Sequence, residues 1–369
     1  MNDPRHILIV ALALVALAAG PGAAQTAPAD TATAAQADTV AAAPPPDMVI
    51  LPIVNYSEVS EAHTILVPRL HRGLTRQGLT FITAEVLRPT LRRNRIRSLG
   101  WIGREHAETI ARITGARYLL LGSWDVMRIG EDPEIGFSLR VLDTQSMKLV
   151  SAVSVGARGS QYMGLLGRGR VRSPGRLADR VMAEAIEGLF PLVADSLRER
   201  TDVPCRRIAL IPLDSFAQTP NAGNIMTSVM ITGLVSTGFD VVEPGFVREL
   251  GLVRGVAHRG GVDDESALAI RENLGACRVI TGAVEQLAVA RGGPDTVPMV
   301  AFGFRVMSPE TGNINLMEEL EGDGKDGEWF FQRGRTMALI PLADNVFMKF
   351  IRDLEKSRRE DISYGETRR

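Results

Sequence analysis

The chain carries one pattern written twice, and that repetition limits its fold more than any other feature. MVILP at residues 48–52 overlays IALIP at 208–212, an offset of 160 residues. The same offset carries GLTRQGLTFITAEVLR (73–88) onto GLVSTGFDVVEPGFVR (233–248), and GARYLLLG (115–122) onto GACRVITG (275–282). Five extra residues near 292–296 then move the offset to 165, where LRVLD meets FRVMS with Arg140 over Arg305, and RGR at 168–170 meets RGR at 333–335. So many gapless matches predict two tandem lobes of one topology, 48–200 and 206–369, the second an internal repeat of the first. A pseudo-two-fold pairing of the lobes, a pseudo-dimer within one chain, is the expected packing.

Each lobe can be read twice. The Pro-bounded apolar runs MVILPIV and RRIALIPL are buried first strands. Helical stretches follow over about 61–77 and 224–237, each with a Gly turn into a short second strand, LTFIT or FDVVE. Pro68 inside the first stretch predicts a kink or a late start, while Ser228 stands at its place in the second. DDESALAIRENLG joins an Asp263 cap and an acidic first turn to a Gly275 stop, and GREHAETIARITG stops equivalently at Gly115. YLLLGSW and RVITGAV are third strands, GFSLRVLD/KLVSAVSV and AFGFRVMS/INLMEELE are hairpins, and amphipathic helices begin near Leu177 and Leu342. This order predicts α/β lobes, each an α+β-like mixed sheet with packed helices.

Ahead of the lobes, Arg5 and His6 precede 13 uninterrupted apolar residues at 7–19, and small residues follow at 22–24. A bilayer-spanning helix needs about 17 to 25 apolar residues. Residues 1–24 therefore read as a cleavable export signal, which predicts a periplasmic protein. With no cysteine near the cleavage site, no lipid anchor is expected. Residues 25–47, rich in Ala, Thr and Pro, have almost nothing to bury and read as a disordered tether.

The net charge of −1 hides an asymmetry, because 48–200 holds 22 basic and 15 acidic residues while 206–369 holds 19 and 23. Two Arg-rich stretches stand out in the first lobe: Arg92, Arg93, Arg95 and Arg97, then Arg168, Arg170 and Arg172. They read either as a solvated face or as a contact for an anionic wall polymer, lipid head groups or an acidic partner surface, since guanidinium forks suit phosphate and carboxylate. Nucleic acid is not expected for an exported chain with 5% aromatic residues to stack on bases.

Motifs for chemistry are lacking. GDGKDG sets Gly322, Gly324 and Gly327 at a dinucleotide-fingerprint spacing, but Asp323 and Asp326 would repel a pyrophosphate, so it reads as an acidic hairpin. Lys325 breaks a calcium-loop pattern there. His63, His71, His106 and His258 show no zinc-helix spacing, there is no G-x-S-x-G elbow, and the two cysteines form no C-x-x-C pair. Neither a catalytic residue nor a cofactor or metal is assigned.

With the LP after a short apolar strand, the GAR or GAC turn, the LLLG or ITG strand, and LRVLDTQSMKLV or FRVMSPETGNIN, each lobe resembles a globular domain of the bacterial envelope. That domain is shared by the penicillin-binding-protein activator LpoB, the curli protein CsgG, the flagellar protein FlgO and the amino-terminal domain of TolB. The resemblance implies a non-enzymatic accessory protein that binds envelope partners in an assembly, secretion or wall-synthesis system. This chain departs from it in lacking the lipid-bearing cysteine, in being doubled, and in having no long insertion for membrane-spanning hairpins. In such a fold the first and third strands are parallel neighbours, so Cys205 and Cys277, each just before one of them, start about 5 Å apart and could form a disulfide in an oxidising compartment. Two buried free thiols are the other reading.

Overall fold

The computed structural model describes residues 45–97, 100–163, 169–190, 206–255, 261–289, 297–328 and 334–366. In the first lobe, β1 (Met48–Ile50) lies parallel between β3 (Phe81–Ile82) and β4 (Tyr118–Arg128). An antiparallel meander, β5 (Glu134–Asp143) and β6 (Lys148–Arg158), extends the sheet to the order β3-β1-β4-β5-β6. A two-residue β2 (Val54–Asn55) continues the first strand beyond Pro52, pairing with β4. The second lobe repeats this with β9 (Asp240–Val242), β7 (Arg207–Leu210), β10 (Arg278–Val289), β11 (Pro298–Met307) and β12 (Ile314–Asp323), and β8 (Asp214–Ser215) beside β10. The third strands share a bulge at one place, Asp125 in β4 and Glu285 in β10. The fold is α/β with two similar lobes, as the repetition predicted.

Among the described residues four helices serve each lobe: α1 (Glu61–Arg76), α2 (Ala84–Arg93), α3 (Arg104–Thr114) and α4 (Pro174–Leu189), then α5 (Ala222–Ser236), α6 (Pro244–Val253), α7 (Asp264–Leu274) and α8 (Leu339–Glu366). In α1, Ala62, Leu66, Leu70 and Leu74 recur at four-residue spacing, and this stripe packs with Leu177, Val181 and Ala185 of α4 on Ile50, Leu120 and Phe137 of the sheet. On the opposite face, Leu87 and Leu91 of α2 and Ala107 and Ile110 of α3 cover Val49, Leu51, Leu119 and Leu121. Asp263 caps α7 by accepting the Ser266 N–H at 2.7 Å, and Gly115 and Gly275 end α3 and α7 in the left-handed region, φ 70° and 69°.

The helices α2 and α6 have no counterpart in the sequence reading, because Pro89 and Pro244 and the short apolar stripes Leu87/Leu91 and Phe246/Val247 hid them. Nor does Pro68 delay α1, which starts at Glu61 and runs through it. At that exposed position water can meet the carbonyl left without a donor.

The lobes do not pair about a two-fold. Among the described residues the first lobe has no helix of its own on one face of β5 and β6, and α5 and α8 of the second lobe occupy it. Among the described elements no matching packing of β11 and β12 on α1 or α4 accompanies it, so the contact runs head to tail. Held between two sheets, α5 is apolar on nearly every side: its sequence AGNIMTSVMITGLVS carries no charge, whereas α1 carries arginines on its open face. The first lobe's α2–α3 core and the second lobe's core merge into one apolar cluster.

Candidate functional site

Small side chains make the seam between the lobes. Gly136 of β5 and Gly156 of β6 let the start of α8 approach so closely that a Cβ on Gly136 would lie 2.6 Å from Ile340 Cγ1, and one on Gly156 3.2 Å from Pro341 Cδ. Glu134, buried, accepts the Leu339 N–H at 2.8 Å, satisfying one of the orphan donors at the start of α8. Glu249 of α6 does the same for α3, accepting the Arg104 N–H at 2.6 Å and the Glu105 N–H at 3.3 Å, where Gly103 has no capping side chain.

Two polar groups are buried at the same seam. The Arg140 guanidinium meets the Glu243 carboxylate through Nε and Nη2, both at 2.8 Å, stacks 4.5 Å from the Trp101 ring centre, and donates to the Gly100 carbonyl. Beside it Asp125 accepts hydrogen bonds from the Ser123 and Ser138 hydroxyls, Ser138 Oγ lies 2.9 Å from Ser154 Oγ, and Ser154 Oγ lies 2.8 Å from Thr232 Oγ1 of α5. Complete burial pushes the Asp125 carboxyl up to about 7, against the opposing pull of the two hydroxyls and the Arg140 charge. A Ser-His-Asp arrangement would set a histidine against the Asp125 carboxyl. His63 instead stands edge-on to Trp124, His71 lies against Phe81, and His106 is half-buried on α3; His258 lies outside the described residues. Arg140–Glu243, Ser154–Thr232 and Glu134–Leu339 each link one lobe to the other.

The arginines singled out in the sequence fall on two different elements. Arg92 and Arg93 close α2 and Arg95 and Arg97 follow it, all exposed, and none of the four makes an ion pair with a described residue. Arg170 reaches Asp132 at 3.4 Å, Arg172 is exposed ahead of α4, and Arg168 lies outside the described residues. Because α2 and α4 pack on opposite faces of the sheet, the two stretches do not form one patch. At the positions of Arg92 and Arg93 the second lobe has Leu252 and Val253, 70% and 83% exposed.

The GDGKDG turn spends its carboxylates on itself: Asp323 accepts the Lys325 N–H at 2.6 Å and Asp326 accepts the Asp323 N–H at 2.9 Å, leaving no cradle for phosphate. Cys277 donates its backbone N–H to the Arg207 carbonyl at 2.9 Å, with Sγ 3.2 Å from the same oxygen. That places its sulfur beside the start of β7, two residues from Cys205, which lies outside the described residues. No group of three or more metal-ligating side chains stands together among the described residues, and no described helix is long and apolar enough to cross a membrane.

No protein-family model matches the chain, and no curated protein matches its sequence. Solved structures similar to part of it include the PelC dodecamer of Paraburkholderia phytofirmans, at 20% identity over 39% of this chain and 85% of that one, TM-score 0.28. Lipoprotein GNA1162 of Neisseria meningitidis matches at 16% identity over 33% and 86%, TM-score 0.28. The LpoB C-terminal domain of Escherichia coli matches at 14% identity over 36% and 93%, TM-score 0.26.

Proposed function

We propose that the chain is an exported, non-enzymatic accessory protein of the bacterial cell envelope that binds partner proteins in an assembly, secretion or wall-synthesis system. The amino-terminal pattern of a basic start, an apolar run and small residues supports export and cleavage after residue 24, leaving a periplasmic protein built from a duplicated lobe. The observation that carries partner binding is the exposed apolar pair Leu252–Val253 at the end of α6, which a partner protein would cover. Glu243, just ahead of the same helix, and Glu249 within it are held at the seam by Arg140 and by the start of α3, which gives that pair a rigid base.

A second reading, binding of an anionic wall polymer or lipid head groups, draws on the unpaired set Arg92, Arg93, Arg95 and Arg97. Capture from envelope extract by the immobilised protein separates the two. Protein partners retained in high salt by wild type and lost with Leu252→Ser/Val253→Ser support the first reading. Retention of wall polymer or anionic vesicles that salt abolishes, and that serine at the four arginines also abolishes, overturns it in favour of the second.

In the oxidising periplasm we further propose that Cys205 pairs with Cys277, supported by the position of the Cys277 sulfur beside the start of β7.

A further inference from the structure

A head-to-tail contact leaves one copy of each of its two surfaces unused. Here the covered surface is the β5–β6 face of the first lobe, and the covering one is α5 with the start of α8 in the second. The equivalent of the covered surface is the β11–β12 face of the second lobe; the equivalent of the covering one is α1 with the start of α4 in the first. Both are open. On β11, Phe302 and Phe304 point into the second lobe's own core, so Ala301 and Gly303 face the other way, with Glu321 and Glu319 directly across from them on β12.

The repeat offsets say what would meet what if a second chain docked as the lobes do. Inside one chain, Thr232 of α5 touches Ser154 of β6. Their counterparts are Arg72 of α1 and Glu319 of β12, both exposed. Pro341 crosses Gly156 inside the chain, and their counterparts are Arg176 of α4 and Glu321, again exposed and opposite in charge. The bulged Asp125, buried at the seam, corresponds to the exposed Glu285. Where Thr232 meets Ser154 and Pro341 crosses Gly156 the inner seam is neutral and small, whereas the open helical face sets Arg72 and Arg176 beside Asp179, and the open sheet face sets Glu319, Glu321 and Glu285 beside Arg305.

We infer that these faces bind each other between copies of this chain, the basic α1–α4 face of one molecule on the acidic β11–β12 face of the next, in an association that extends rather than closing as a two-fold dimer. The buried pair Arg140–Glu243 has no counterpart, since Arg305 and Thr83 stand at those positions. The contact between copies therefore rests on exposed ion pairs, is weaker than the seam, and dissolves in salt.

Sedimentation velocity of the full exported chain tests this. At low salt the weight-average mass should climb with concentration past that of a dimer, and return to that of one chain at high salt. Arg72→Glu and Glu319→Arg should each stay at the mass of one chain with an unchanged circular dichroism spectrum. Combining them in one chain, Arg72→Glu/Glu319→Arg, should restore the climb. Wild type that stays at one-chain mass at every concentration in low salt overturns the proposal, as does a dimer that stops growing or that either single reversal leaves intact. Leu252→Ser/Val253→Ser alters none of the charged pairs named here and should leave the mass unchanged, so loss of partner capture and loss of self-association are read separately.

Discussion

Arg140 and Glu243 are 103 residues apart in sequence, yet they form a two-pronged ion pair, with the arginine side chain 4% exposed and the glutamate fully buried, that fixes one lobe on the other. Burying both charges costs solvation that the pair largely restores, so its deletion is felt through the partner left behind. Glu243→Ala should therefore destabilise the chain by about 3–5 kcal/mol. Replacing both residues with apolar side chains, Arg140→Met/Glu243→Leu, should recover most of that loss. Urea unfolding followed by circular dichroism measures it; a loss below about 1 kcal/mol for Glu243→Ala would mean that solvent reaches the pair.

Seam closeness gives a second expectation. Any side chain at Gly136 points at Ile340, with Val126 behind it, so Gly136→Val should cost about 1–3 kcal/mol through overpacking. Adding Ile340→Ala to that variant should return part of the stability. If the two changes add without compensation in unfolding midpoints, the contact between β5 and α8 is not the source of the cost.

The repetition, the strand runs and the Gly-stopped helices were legible because each depends on local signals: periodicity, caps and turn glycines. The α2 and α6 helices were not, since a proline and two or three apolar residues make a weak stripe, and they are held by docking on the sheet. The seam left a trace in the uncharged α5, which reads as a helix buried on all sides, and in Gly136, Ser138, Ser154 and Gly156, too small to fill a lobe's own core. Which surface those residues meet depends on a partner more than 70 residues away, and no local pattern encodes that. The pairing of Arg140 with Glu243 was hidden for the same reason, and because the repeat points to Arg305 as the matching residue.

Asp125 makes stability depend on pH. Its carboxyl titrates at about 7 in the folded chain against 3.8 when exposed, so between those values the native state holds a proton that the unfolded state has released. Stability should fall as pH rises through that window, by at most about 1.4 kcal/mol per pH unit from this group. Asp344, pushed up to about 6 by burial, acts in the same direction. Asp125→Asn isolates the first contribution: its stability advantage over wild type should grow from about pH 4 to pH 7 and level off above. Unfolding curves that stay parallel across that range would remove Asp125 as the cause.

The cysteine pair yields the last expectation. A bond between Cys205 and Cys277 closes a loop of roughly 70 residues, which in the chain-entropy model stabilises the second lobe by about 3–5 kcal/mol, less if the bridge is strained. The first lobe has Arg117 where the second has Cys277, so it folds without such a link. Protein purified from the periplasm and alkylated without reduction should show no modified cysteine by mass spectrometry, and two after reduction. Reduction should also lower the unfolding midpoint, and Cys277→Ser should reproduce that shift while making the midpoint insensitive to reductant. Two alkylated cysteines before reduction would establish free thiols, and the Sγ contact with the Arg207 carbonyl would then be an ordinary thiol hydrogen bond.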